Sequence, residues 1–95
     1  MRVRFTRRAL RHLGDVRAYI GVTDPVAAQR VIARLREAID GLILYPERGR
    51  PGRVPGTREL VVSGTPYIVP YRIIDETIEV LAVMHGARAW PHSRI

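Results

Sequence analysis

The sequence predicts an α+β fold in a single domain, residues 1–95, with its elements in the order β-α-α-β-β-β: a helical hairpin packed on a twisted, mainly antiparallel four-stranded sheet. Three observations carry this expectation. First, the stretch from Arg58 to Arg88 holds three apolar runs, Leu60 to Val62, Tyr67 to Ile74 and Ile78 to Met84. They are rich in Val, Ile and Tyr, which suit a pleated surface. The breaks between them, Ser63 to Pro66 and Asp75 to Thr77, fall far short of a parallel crossover, so the three strands form an antiparallel meander. Second, two upstream segments carry apolar residues at helical spacing and are joined only by Gly21 to Asp24, which makes them an antiparallel hairpin. Third, 95 residues suffice for one two-layer core that buries roughly 60–70% of the unfolded surface.

In chain order, Arg2-Val3-Arg4-Phe5-Thr6 alternates polar and apolar, as a first strand with Val3 and Phe5 turned inward. Thr6 caps the first helix, its side-chain oxygen accepting from an otherwise unpaired backbone N–H. Leu10, Leu13, Val16 or Arg17, and Ile20 recur on the inner face, while Arg7, Arg8, Arg11 and Asp15 occupy wetter ones. Gly21-Val22-Thr23 ends this helix. Asp24 caps the second, and Pro25 is preorganised for its first turn. Ala28, Val31, Ile32, Leu35, Ala38, Ile39 and Leu42 form its inward stripe, and Tyr45-Pro46 stops it because proline cannot continue the hydrogen-bond ladder.

The next twelve residues, Pro46 to Thr57, hold three Pro, three Gly and three Arg and read as a loop with no core to build. Arg48, Arg50 and Arg53 are then either free to face a partner or part of a solvated connector. The glycines match no phosphate-cradling pattern. Within the middle apolar run, Pro70 removes a ladder donor and marks an edge or a bulge. By parity Tyr67, Val69, Tyr71 and Ile73 share one face of that strand, and Ile68, Pro70, Arg72 and Ile74 the other. The hairpin is expected to cover one face, leaving part of the other for a partner.

Composition narrows the function. Sixteen basic residues, all Arg, against nine acidic ones give a net charge of +7. Planar guanidinium forks grip carboxylates and phosphates in two-point contacts, so a small domain this basic is expected to meet nucleic acid or an acidic protein. There is no Cys, which excludes disulfides and thiolate metal sites and fits a reducing cytoplasm. His12, His85 and His92 lack metal-ligand spacing, so no metal and no cofactor is expected. The apolar runs are too short to span a membrane, and no signal-peptide pattern opens the chain. The expectation is a soluble cytoplasmic protein.

A further set of residues resembles the RelE/ParE superfamily of toxins from bacterial type II toxin–antitoxin modules. It comprises Leu44-Tyr45-Pro46 after the second helix, Gly49-Arg50, Gly56-Thr57-Arg58-Glu59-Leu60, Tyr67-Ile68-Val69, Tyr71-Arg72, and Val83-Met84-His85-Gly86-Ala87-Arg88. Order and spacing carry the similarity, which covers nearly the whole chain. It implies the same β-α-α-β-β-β fold and a cognate antitoxin whose C-terminal segment wraps the toxin, in a heterodimer or heterotetramer. Growth arrest and plasmid stabilisation follow from the same resemblance.

The superfamily divides by target. Members resembling RelE and YoeB cut mRNA on the ribosome, which requires a base, an acid and cationic charge around one phosphate. Here His85 matches a catalytic His, but Gly86 stands where a Tyr should follow, and Ile68 stands where the middle strand should supply an Arg. Glu47 and Glu59 are alternative carboxylates that do not align. If the protein cuts RNA, its catalytic residues are His85, Arg58 and Arg88, because an imidazole can exchange a proton near neutral pH and a guanidinium cannot.

The Gly-Thr-Arg-Glu-Leu segment, the Tyr-Arg pair and the His-Gly-Ala-Arg ending are more like the ParE branch, some of whose members inhibit DNA gyrase by protein contact. Gyrase is therefore the preferred target, with ribosome-bound mRNA as the alternative and a nontoxic interaction domain as a third reading. Partner contacts are expected at Arg48, Arg50, Arg53, Arg58, Tyr67, Tyr71, Arg72, His85, Arg88 and Trp90. The structural alternatives are that His85 is the polar end of the last strand, bonded to Arg58 or a backbone carbonyl, and that Arg58 pairs with Glu59 or Glu79.

Overall fold

The computed structural model describes residues 1–86, and its elements follow the predicted order with two short strands added. They are β1 (Arg2–Phe5), α1 (Arg7–Gly21), α2 (Pro25–Asp40), a single 3-10 turn (Gly41–Ile43), β2 (Arg50–Pro51), β3 (Arg58–Val61), β4 (Tyr67–Ile74), β5 (Thr77–Val80) and β6 (Met84–His85). Among the described residues the sheet has six strands in the order β1-β5-β4-β3-β2, and β6 also pairs with β4. Among the described strands only the β1–β5 pair is parallel, with Val3 beside Ile78 and Phe5 beside Val80. The chain leaving β1 runs through the whole helical hairpin before the meander brings it back alongside.

The four strands expected become six for two local reasons. Arg50–Pro51, expected as loop, pairs with Arg58 and Glu59 at one edge of the sheet. The last apolar run is one strand broken by a bulge. Tyr71 faces Val80 and Ile68 faces Met84, so Leu81, Ala82 and Val83 oppose only Val69 and Pro70. In a strand the N–H and C=O of one residue point to the same side, and the Pro70 carbonyl accepts from Leu81 N–H at 2.9 Å. The donor that proline lacks therefore falls on the side where the ladder is already interrupted, as expected for a bulge.

Both helices start as predicted. Thr6 Oγ1 accepts from Ala9 N–H at 3.1 Å and donates to the Leu81 carbonyl, and Asp24 Oδ1 accepts from Ala27 N–H at 3.0 Å. The inner face of α1 is Ala9, Leu13 and Val16; Leu10, expected inside, is 55% exposed. At 100° per residue Leu10 lies at the margin of the apolar arc, and small Ala9 takes the central place. On α2 the buried stripe is Ala28, Ile32, Leu35 and Ile39, and the 3-10 turn then turns Leu42 inward. Apart from Ala28, these side chains pack on Leu60, Val62, Tyr67, Val69, Tyr71, Ile78 and Val80 to form the main core. The hairpin thus covers the Tyr67–Val69–Tyr71 face of β4, and the opposite face is the open one.

Candidate functional site

The open face carries two rows of charged side chains that follow directly from strand register. Across β1, β5 and β4, Arg4, Glu79 and Arg72 stand side by side. Across β2, β3 and β4, Arg50, Glu59 and Pro70 do the same. In each row a buried carboxylate is gripped by half-exposed arginines. Glu79 Oε1 accepts from Arg72 Nε at 2.6 Å, and Oε2 pairs with Arg4. Glu59 Oε1 accepts from Arg50 Nη2 at 3.1 Å, while Oε2 accepts from the Arg53 backbone N–H at 3.2 Å and lies 3.7 Å from its guanidinium. The Arg72 hydrogen bond, reinforced by Arg4, outweighs burial and holds the Glu79 carboxyl below its ordinary pKa.

The arginine-rich loop is built rather than free. Tyr71, fully buried, donates from its hydroxyl to the Pro46 carbonyl at 2.7 Å and accepts from Gly49 N–H at 2.9 Å. Burial pushes the Tyr71 pKa up, against the Gly49 hydrogen bond. Gly49 is required for this contact, since a Cβ there would come within 2.7 Å of the Tyr71 ring and hydroxyl. Arg58 donates to the carbonyls of Gly49 at 2.8 Å and Glu47 at 3.2 Å. Val54 packs on Ala82 and Met84 beneath the loop, a second small core on the open face.

These contacts correct several expectations. Tyr71, expected at a partner contact, is instead buried, with its hydroxyl engaged by Pro46 and Gly49. Arg58 pairs with neither Glu59 nor Glu79, because its side chain lies on the helix-covered side of β3 beside Tyr71. The loop does build a core. Arg50 and Arg53 remain half exposed but are tied to Glu59, and Arg48 stacks over the Tyr45 ring at 4.8 Å. Arg88 and Trp90 lie outside the described residues.

His85 belongs to a different region. Its ring stands edge-on to Tyr67, with centroids 5.8 Å apart. His85 and Tyr67 line one end of a groove of about 670 Å³ between the helices and the end of the sheet. His12, which sequence reasoning passed over, lines it too; Val83 N–H donates to its Nδ1 at 3.1 Å, leaving Nε2 as the proton-bearing nitrogen. Asp15 and Tyr19 complete the polar rim. Because His85 pairs with Tyr67 and Arg58 with Tyr71, on opposite sides of β4, the two are separated by roughly 13 Å along the strands and 10 Å across them. They share no cleft. The register that places Arg4, Arg72 and Glu79 together joins residues more than sixty positions apart in the chain, so only the alternation of Arg2-Val3-Arg4 hinted at it.

Comparison with known proteins agrees with this architecture. The model of the ParE toxin of type II toxin–antitoxin systems matches residues 3–90. The toxin-designated protein Y4kP of Sinorhizobium fredii is 53% identical over 90 residues, covering 95% of this chain and 93% of its own length. Toxin RelE2 of Caulobacter vibrioides is 44% identical over 84 residues, covering 88% and 93%. Among solved structures, a chromosomal ParDE toxin–antitoxin system from P. aeruginosa superposes with a TM-score of 0.82 at 26% identity, covering 90% of this chain and 95% of that one. The RelBE2 toxin–antitoxin complex from Mycobacterium tuberculosis gives 0.64 at 36% identity, covering 87% and 94%. Among the described residues no helix is long and apolar enough to cross a membrane, and no cluster of metal-ligating side chains occurs. With the family model spanning nearly its whole length, the chain belongs to the ParE toxin family of type II toxin–antitoxin systems.

Proposed function

We propose that this toxin arrests growth in the cytoplasm by binding DNA gyrase, without cutting RNA, and that a cognate antitoxin neutralises it. The observation that carries this reading is the state of the acid–base groups. A nuclease needs a base, an acid and a cation converging on one phosphate. Glu79 is held low by Arg72 and Arg4, the wrong direction for a base working near neutral pH. Both oxygens of Glu59 are occupied. His85 stands apart from Arg58, and Gly86 and Ile68 supply no polar group beside it. The nuclease alternative draws on His85 itself and on relatives that carry the RelE name. An antitoxin partner is supported by structural relatives that are toxin–antitoxin complexes.

Two readouts in arrested cells decide between the targets: cleaved gyrase–DNA complexes, and primer extension on ribosome-bound message. The expected result is cleaved complexes with intact message; clean cuts in the ribosomal A site overturn the reading. His85→Gln is expected to stay toxic at matched soluble expression, whereas a nuclease would lose about 10²- to 10⁴-fold in rate. Arg88→Ala is expected to weaken toxicity.

A further inference from the structure

We propose that the outer face of the first two turns of α1 is a docking surface for the phosphate backbone of duplex DNA. Arg7, Arg8 and Arg11 are all exposed there. They fall within an arc of about 100° opposite the buried Ala9, Leu13 and Val16. Among the described residues none of the three enters an ion pair or a side-chain hydrogen bond. The first carboxylate in the chain is Asp15, on the same face but a full turn beyond Arg11, and it forms no ion pair with any of the three, so the first two turns carry cations alone.

The helix gains nothing from Arg7 and Arg8. Arg7 and Arg8 stand in the first turn of the helix, where the backbone dipole opposes a cation and where this helix has no acidic residue. The neighbouring helix is treated differently. On α2, Arg34 is bonded to Ser63 and Glu37, and Glu37 and Asp40 are interspersed with the arginines. The start of α1 is also held firmly, since Thr6 caps it and ties it to Leu81, so the guanidinium groups project from a fixed support.

The chemistry of the face selects the partner class. Protein interfaces have apolar cores depleted of charge, whereas DNA interfaces are polar and strongly positive. Here three guanidinium groups surround no apolar centre; Leu10 lies at the margin. Their forks fit phosphate oxygens in two-point contacts. Contacts to backbone phosphates carry no sequence preference. The choice of duplex DNA over RNA rests on the gyrase reading, because that target works on duplex DNA.

The test uses the full chain, without antitoxin, and a short labelled duplex of random sequence. For about three phosphate contacts, affinity is expected to fall roughly forty-fold between about 50 and 200 mM salt. The variant Arg7→Gln/Arg8→Gln/Arg11→Gln is expected to lose nearly all of that salt dependence. Arg17→Gln/Arg30→Gln/Arg36→Gln, which removes equal charge elsewhere on the helices, is expected to keep it. Gln is a good helix former, and Arg11→Gln alone, beyond the first turn, should lower the slope by about one. Equal loss in the two triple variants overturns the proposal, as does binding of a polyglutamate peptide or single-stranded RNA as tightly as the duplex. No step involves gyrase, so failure here leaves the target assays standing; failure of the target assays would remove the reason for choosing duplex DNA over RNA without changing what this experiment reads.

Discussion

The open face of the sheet and the outer face of α1 use arginine in opposite ways. On the sheet, four guanidinium groups converge on two buried carboxylates, Arg4 and Arg72 on Glu79 and Arg50 and Arg53 on Glu59. On α1, Arg7, Arg8 and Arg11 face water, and the acid on their face, Asp15, stands a full turn beyond Arg11 and pairs with none of them. The total charge of +7 does not distinguish these regions; the placement of the nine acids does. Where a carboxylate is buried beneath them, arginines are cross-ties that fix neighbouring strands. Where none is, the same side chain is held only by its own helix and its charge is available to a partner. Perturbing each region should therefore move stability in opposite directions.

The largest effect is expected at the support of the tied region. Tyr71→Phe removes a hydroxyl that satisfies both the Pro46 carbonyl and the Gly49 N–H. Leaving buried polar groups unpaired costs about 1–3 kcal/mol. Chemical denaturation should show a loss in that range, together with faster proteolysis between Glu47 and Arg53 as the loop loosens. A variant as stable as the wild type would mean that the loop is held without Tyr71.

Next in size is Glu79→Gln, which keeps one hydrogen bond but gives up the charge. The expected loss at neutral pH is about 1–2 kcal/mol, because the half-exposed arginines can return to water. The folded pKa of Glu79 lies below its ordinary 4.5, so the stability it contributes is present above that value and is lost as pH falls through the folded one. The gap between wild type and variant should therefore close as pH drops below 4.5, measured by urea denaturation of the two proteins side by side. A gap constant between neutral and acid pH would show that the carboxylate charge contributes nothing.

What the sequence revealed and concealed divides along the same line. Thr6, Asp24-Pro25 and the apolar spacing of α2 are local signals, and they placed both helices correctly. Pro70 signalled the bulge because a missing donor has a short list of allowed positions. The Asp75-Glu76 turn was visible as a break but not as a type. Both residues adopt positive φ, 49° and 58°, which the sequence Asp-Glu does not advertise as Asn-Gly would. The clamps were concealed because their members meet only through the parallel pairing of β1 with β5 and the antiparallel pairings around β3 and β4. The burial of Tyr71 was equally hidden, since parity says which face a residue takes but not whether a loop will fold over it.

The smallest effect should also be the one of opposite sign. Arg8→Glu places an acid in the first turn of α1, where the helix dipole favours negative charge by about 0.3–1 kcal/mol. It also sets the new carboxylate three residues before Arg11, a spacing worth a few tenths more. Arg8 is exposed and has no partner to lose among the described residues. The variant should thus be slightly more stable than the wild type, by about 0.5–1 kcal/mol at low salt, or roughly 2–8 °C in melting temperature for a domain of this size. The gain should shrink as salt is added, because exposed charges are screened. The same substitution should weaken duplex DNA binding, so stability and binding would move in opposite directions at one residue. That opposition is what an arginine kept for a partner predicts; a destabilised Arg8→Glu would instead mean that Arg8 supports the fold, as the clamped arginines of the sheet do.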